Sequence, residues 1–107
     1  MSDKQSKLDI LRKINNNPKT SQRELANQLG FSLGKLNYLM GALLEKGLIK
    51  IKNFQKNPRK SNYLYLLTKK GLLEKTKLTL HFMERKMTEY DELKKEIESD
   101  KKNVDRN

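Results

Sequence analysis

The sequence contains no cysteine and only one histidine. Without cysteine, disulfide bonds, thiol chemistry and cysteine-ligated zinc sites are excluded. The one histidine, His81, lies in a helical pattern among apolar residues, and no second residue completes a catalytic triad or a metal site with it. A glycine-rich phosphate-binding loop is also absent. The sequence therefore predicts a protein that is not an enzyme and that has no metal or other cofactor.

Long apolar runs are missing as well. The N-terminal segment MSDKQSKLDI lacks the apolar core of a signal peptide, and no stretch approaches the roughly 18 apolar residues of a membrane-spanning helix. We therefore expect a cytoplasmic protein with no membrane partner. The hydrophobic and charged shares are each 35%, which predicts one domain with a modest core. Association between chains would bury additional apolar surface.

Acidic residues are absent from one long segment. The 107 residues have a formal net charge of +11, and residues 46–70 contain eight lysines or arginines but no aspartate or glutamate. The acids are concentrated near the C-terminus, where residues 91–107 hold six acids and five bases. An acid-free basic segment is typical of a surface that binds a polyanion, although such a surface can also serve solubility alone.

The apolar residues near the N-terminus recur at helical spacing. Leu8, Leu11 and Ile14 predict a helix over about residues 4–16, which ends before Pro18 because the residue preceding a proline is pushed out of the helical region. Residues 1–6 are polar and are expected to fray.

Residues 21–49, SQRELANQLGFSLGKLNYLMGALLEKGLI, have the pattern of two short helices joined by a tight turn. Ser21 and Ser32 are good N-caps for the two helices. Ala26 is small enough for the helices to cross closely, and Gly30, four residues later, turns easily with a positive φ. An aliphatic residue six positions after that glycine begins the buried face of the second helix. This spacing indicates a helix-turn-helix; a helical hairpin in a structural bundle is the alternative.

Two β-prone segments follow the helices. Residues 48–54 alternate apolar and basic side chains after their first positions, and residues 63–68, YLYLLT, are aromatic and aliphatic. A polar loop rich in turn-forming residues lies between them. We predict a β-hairpin with a basic tip, so residues 1–68 form a winged helix-turn-helix domain. The predicted fold class is mainly α with a small β-hairpin: a three-helix core, a two-stranded wing and a long C-terminal helix.

That long helix is predicted over residues 69–102, with a disordered tail at residues 103–107. Apolar side chains recur in it at alternating steps of three and four residues, the spacing of a heptad seam. About 33 residues at 1.5 Å each give roughly 50 Å, more than a domain of this size needs. We therefore predict a homodimer joined by this helix; a helix folded back on its own domain is the alternative. The predicted dimer contacts are Leu73, Leu80, Met83, Met87, Tyr90 and Ile97.

In a winged helix, the N-terminal part of the second motif helix enters the major groove of DNA. Asn37 can pair with adenine, Tyr38 can stack on sugar or reach a phosphate, and Lys35 is either a phosphate contact or a solvated charge. The predicted recognition residues are Ser32, Leu33, Gly34, Lys35, Asn37 and Tyr38.

Two glycines in this helix need a reason, because Gly34 and Gly41 each cost about 1 kcal/mol relative to alanine. One explanation is a backbone that must come close to DNA or to another helix. The other is that Gly34 merely lies near the helix start and that Gly41 packs against the first helix.

Other polar residues add candidate contacts with the DNA backbone. Arg59, beside a proline in the loop, is the best candidate to enter a minor groove, where narrow A·T tracts attract arginine. Lys56 and Lys60 flank it, and solvated loop charges are the alternative. Gln22 and Arg23 are placed to bind phosphate at a helix N-terminus, although Gln22 can equally serve local capping.

The segments SQRELANQLGFSLGKLNYLMGALLEKGLIKI and YLYLLTKKGLLEK resemble the MarR-type winged-helix transcriptional regulators. The resemblance covers about residues 7–98 and is greatest to the small subgroup of EPS-associated regulators, found beside exopolysaccharide biosynthesis genes. It implies a homodimer on a pseudo-palindromic operator, with residues 32–38 as the reading segment and residues 56–60 as the wing tip. Larger members bind effectors between additional terminal helices that have no counterpart here, so no small-molecule effector is expected.

The leading hypothesis is a sequence-specific, homodimeric transcriptional regulator that binds double-stranded DNA, with exopolysaccharide genes as the targets suggested by the resemblance. Two alternatives stay open. One is a protein-interaction module whose long helix pairs with a different protein, and the other is a winged helix that binds RNA.

Overall fold

The computed structural model describes residues 3–53 and 63–106. Within these residues the chain forms four helices and one antiparallel pair of strands. The elements in chain order are α1 (Asp3–Asn16), α2 (Gln22–Leu29), α3 (Leu33–Glu45), β1 (Ile49–Asn53), β2 (Tyr63–Leu67) and α4 (Lys69–Asp105). The predicted fold class, mainly helical with a small β-hairpin, is confirmed.

The chain divides into two compact units, residues 1–77 and residues 78–107. The division falls inside α4, and the first turn of that helix, where Gly71 lies against the backbone of Leu48, belongs to the first unit. The domain boundary at residues 68–69 stays a prediction.

The first three helices provide the hydrophobic core of the first unit. Each buries one stripe of aliphatic side chains, at about 1.5–3 kcal/mol for each large side chain removed from water. The buried apolar residues of these helices are Leu8, Ile10, Leu11, Ile14, Leu25, Ala26, Leu36, Leu39, Met40 and Leu43. The helix α1 begins at Asp3, and Ser6 is fully buried in its first turns. The expectation that residues 3–6 fray is therefore wrong, since this turn packs on the core.

The hairpin is attached to the helical core through the middle of β2. The strands pair Ile49 with Leu67 at the end nearest the helices. The backbone N–H of Tyr65 donates to the carbonyl of Pro18 at 3.3 Å. The buried Tyr65 side chain also accepts a hydrogen bond from Nε2 of Gln22 at 2.9 Å. Backbone and side chain together thus hold β2 against the link between α1 and α2.

Hydrogen bonds join the end of α3 to the start of α4. The hydroxyl of Thr68 donates to the carbonyl of Gly47 at 2.6 Å. The N–H of Thr68 donates to the carbonyl of Leu48 at 3.0 Å. The same hydroxyl accepts the N–H of Gly71 at 3.0 Å, so Thr68 is the N-cap of α4. This one residue closes the base of the hairpin and starts the long helix.

Gly71 is buried at this junction. A Cβ atom built on Gly71 would overlap the carbonyl oxygen of Leu48. A glycine is therefore required at this position, because any side chain would push α4 away from the backbone of Leu48.

The helix α4 is continuous over 37 residues. It ends at Asp105, so residues 103–105 are helical, contrary to the expected disordered tail. Within residues 78–106, Leu78 and Phe82 are half-buried and the other side chains are exposed. In the described part of the chain, no helix has both the length and the apolarity needed to cross a membrane.

We expect the exchange Gly71→Ala to lower the free energy of unfolding by about 1–3 kcal/mol, because the new methyl group must displace the Leu48 backbone. Gly41→Ala is the matched control. Its Cβ would meet none of the described atoms within 4 Å, so alanine should raise stability by about 0.8–1 kcal/mol through helix propensity alone. Urea unfolding of both variants measures the two changes. Changes of the same sign would contradict the packing role of Gly71.

Candidate nucleic-acid interface

The turn between α2 and α3 has the local geometry that the sequence predicts. Gly30 adopts a left-handed conformation with φ 70° and ψ 27°. The N–H of Phe31 donates to the carbonyl of Ala26 at 2.9 Å, which closes the end of α2. The hydroxyl of Ser32 accepts the N–H of Lys35 at 3.1 Å and caps α3. These bonds fix the direction in which the first turn of α3 points.

Close packing of α2 on α3 leaves one side of α3 free. Ala26 and Leu36 are 4% and 0% exposed, in agreement with the predicted close crossing. The opposite side of α3 is exposed along its whole length. We call this side the reading face; it consists of Leu33, Gly34, Asn37, Tyr38 and Gly41. Tyr38 is its most prominent side chain, with 72% of its surface exposed.

Lys35, the one cation of α3, is held beside the reading face. Its ammonium nitrogen lies 4.1 Å from the centre of the Phe31 ring, a cation–π contact. The side chain remains exposed, so it can still contact a phosphate, but its position is biased toward the turn. The phosphate contact and the solvated charge, the two interpretations of the sequence, both stay open for this exposed side chain.

The two glycines of the reading face have open space around them. A Cβ atom on Gly34 or on Gly41 would meet no described atom within 4 Å. The suggestion that Gly41 packs against the first helix is therefore wrong. Packing within the described chain therefore explains neither glycine. Gly34 is the second residue of α3, as the interpretation of a glycine near the helix start expects, whereas close approach to another molecule stays the interpretation for Gly41.

The two polar residues at the start of α2 differ in their surroundings. Gln22 is half-buried and donates to the hydroxyl of Tyr65, so its amide serves the attachment of β2. Arg23 is exposed and remains a candidate for a phosphate contact. The prediction for Gln22 missed this bond because Tyr65 is 43 positions away in the sequence.

The predicted wing-tip contacts Lys56, Arg59 and Lys60 lie outside the described residues. The strand that leads to the tip carries two further cations, Lys50 and Lys52, both exposed. Both lie in the acid-free basic segment, residues 46–70, but neither is among the predicted contacts. Their alternation with isoleucines was the available signal, because alternating residues of a strand point to opposite faces.

Other lysines lie at the C-terminal end of α3. Nζ of Lys70 donates to the carbonyl of Lys46, the last-turn cap, at 3.0 Å. Burial, followed by the hydrogen bond and charge of Lys46, lowers the pKa of Lys7 below its ordinary value of 10.5. Lys70 therefore satisfies a carbonyl at the end of α3, where a cation also interacts favourably with the helix dipole.

The predicted dimer contacts are all exposed. Their exposed fractions lie between 48% and 66%. Three further apolar residues of α4 are exposed and were not among the predicted contacts: Leu72 at 45%, Leu93 at 59% and Val104 at 72%. We call the predicted contacts the seam: Leu73, Leu80, Met83, Met87, Tyr90 and Ile97. Within the part of the chain that the structure describes, no cluster of three or more histidine or acidic side chains could hold a metal ion.

Comparison with known families gives one match. Residues 3–50 match the family model of winged helix-turn-helix DNA-binding domains, which covers α1, α2, α3 and the beginning of β1. No curated protein matches the chain.

Several solved structures have a similar fold. A point mutant of MepR from S. aureus has a TM-score of 0.70 and 21% identity, over 99% of this chain and 76% of that chain. The PcaV transcriptional regulator from Streptomyces coelicolor, in complex with its natural ligand, has a TM-score of 0.67 and 18% identity, over 78% of this chain and 57% of that chain. Staphylococcus aureus MarR in complex with salicylate and kanamycin has a TM-score of 0.65 and 21% identity, over 81% of this chain and 57% of that chain.

The chain thus spans a little over half the length of the PcaV and MarR structures, 57% in each case. At these identities the likeness establishes the winged-helix fold. Together with the match over residues 3–50, it identifies α2 and α3 as the helix-turn-helix and the β-hairpin as the wing.

The hydrogen bond between Gln22 and Tyr65 predicts that Gln22 contributes to the stability of the fold and that Arg23 does not. Gln22→Ala should lower the free energy of unfolding by about 0.5–1.5 kcal/mol, and Tyr65→Phe should lower it similarly because it removes the same bond. The double variant should lose less than the sum. Arg23→Ala is the control and should leave stability unchanged. Additive losses in urea unfolding would contradict a stabilising bond between these side chains.

Proposed function

We propose that the protein is a MarR-type transcriptional regulator that binds double-stranded DNA as a homodimer, on a pseudo-palindromic operator. The observation that carries the proposal is the exposed reading face of α3. It combines hydrogen-bonding side chains with glycines that have no packing role in the described chain. It lies on the second helix of a helix-turn-helix, the helix that reads base edges in this class of fold.

Charge supports a nucleic acid as the partner. The net charge of +11 is unevenly placed, because residues 46–70 contain eight lysines or arginines and no acid. The helix α3 carries a single acid, Glu45, and that residue lies in its last turn. The first turn of α3 can therefore approach phosphates without repulsion from its own side chains. Arg23 is exposed for a phosphate contact, and the predicted wing contacts would add to it. Binding should weaken steeply with salt, because each neutralised phosphate releases counterions.

The exposed seam supports a second copy of the chain as the other partner. Its six side chains follow heptad spacing on a helix whose other surface is mainly charged. A pair of identical chains supplies two identical reading faces, and a pseudo-palindromic operator supplies two matching half-sites. The same seam also suits a different protein as partner, which the experiments below distinguish.

The resemblance to EPS-associated regulators extends the proposal to the control of exopolysaccharide genes. Support for this part would come from finding the preferred DNA sequence upstream of such genes.

Selection of duplexes from a random pool tests the proposal directly. We expect enrichment of a sequence with two related half-sites about one helical turn, roughly 34 Å, apart. The double variant Asn37→Ala/Tyr38→Ala should lose this preference while its circular dichroism stays unchanged, because both side chains are exposed. Equal binding of selected and random duplexes at several salt concentrations would refute sequence specificity. Preference for structured RNA over duplex DNA would favour the RNA-binding alternative.

The homodimer has a separate test. Leu80→Glu/Met87→Glu places two charges in the seam, so sedimentation equilibrium should report a monomer where the parent chain is a dimer. Thr88→Glu/Ser99→Glu is the matched control, with two charges added on α4 outside the heptad positions. A parent chain that is monomeric at micromolar concentration, or a seam variant that remains a dimer, would count against this interface.

A further inference from the structure

The reading face has no side chain suited to guanine. Guanine is most often recognised by arginine or lysine, through bonds to its O6 and N7 atoms. The helix α3 contains no arginine and one lysine. That lysine, Lys35, has its ammonium group 4.1 Å from the Phe31 ring centre, beside the reading face. The groups that would usually select G·C pairs are therefore missing from the centre of this surface.

The side chains that are present suit an A·T pair. The amide of Asn37 is exposed, so its Oδ1 can accept a hydrogen bond from N6–H₂ of adenine while its Nδ2 donates to N7 of the same base. Leu33 is 44% exposed although it is aliphatic, and an apolar side chain in the major groove can contact the methyl group of thymine. An amide reader and an apolar reader thus occur together in the first two turns of α3.

The glycines make this reading geometrically feasible. Asparagine is a short side chain, so the helix backbone must come close to the base edges for its amide to reach them. Gly34 and Gly41 lie on the same face as Asn37, one turn before it and one turn after it. With no Cβ at either position, the backbone of α3 can approach the groove more closely than an ordinary helix.

We infer that the reading face of α3 recognises A·T base pairs, with Asn37 bound to adenine and Leu33 against a thymine methyl group. This inference rests on the proposed function and adds the class of DNA sequence that the protein selects. It also gives Gly41 a role, because the missing side chain allows the backbone of α3 to come close to the DNA. A methyl group at this position should therefore raise the stability of the fold and lower the affinity for DNA.

Modified bases in the selected duplex test the inference. Replacing one adenine by 7-deazaadenine removes the N7 acceptor, and at the contacted position affinity should fall on the order of tenfold. Replacing the contacted thymine by uracil removes only the methyl group and should cause a smaller loss. Guanines replaced by 7-deazaguanine within the half-sites should have no effect. Fluorescence anisotropy at fixed salt measures all three.

Protein variants identify the residues that respond. Asn37→Ala should bind the normal and the 7-deazaadenine duplex equally, and Leu33→Ala should bind thymine and uracil duplexes equally. Gly41→Ala should bind the normal duplex more weakly although its fold is more stable. Persistent sensitivity to 7-deazaadenine in Asn37→Ala would overturn the role of Asn37.

The failure of this inference is distinguishable from failure of the proposed function. Half-sites with G·C pairs at their centre and sensitivity to 7-deazaguanine would overturn A·T reading while leaving a sequence-specific regulator. An absence of any duplex preference would overturn both.

Discussion

The structure depends on the contact between Gly71 and the backbone of Leu48. At this point the end of α3, the base of the hairpin and the start of α4 meet, and Thr68 bonds to the two adjacent carbonyls of Gly47 and Leu48. A glycine allows the first turn of α4 to lie directly on the backbone, so the hairpin leaves and re-enters the domain at one place. The core helices alone would not define where the wing and the long helix begin.

This junction lies at the C-terminal end of α3, so the N-terminal end of the helix takes no part in these contacts. The first turn of α3 is positioned by the cap of Ser32 and by the packing of Ala26 against Leu36. Its outward side therefore has no role in folding, and the glycines there reduce the stability of the helix without any packing in return. A surface that is costly for folding and unused by the core is where binding chemistry is expected.

Similarity to longer winged-helix structures gives the fold a context without deciding the partners. The chain spans about half to three quarters of the length of the three related structures described above, at 18–21% identity. At this level of sequence identity the arrangement of helices and strands is shared, but the residues that contact a partner can differ. The reading face and the seam must therefore be interpreted from this chain's own residues, and the exposed leucines and methionines of α4 are the part that most needs a partner.

The sequence alone determined the helices, the strands and the turn, because caps, periodicity and the left-handed Gly30 are local signals that act within a few residues. It also located the buried stripes and the exposed face of α3. Only the tertiary structure separated Gly71 from Gly41, which look alike as glycines in helices. One touches the backbone of Leu48 and the other faces open space. The tertiary structure likewise decided that Gln22 bonds to Tyr65, since contacts between residues distant in sequence depend on how the elements pack, and no local pattern specifies that.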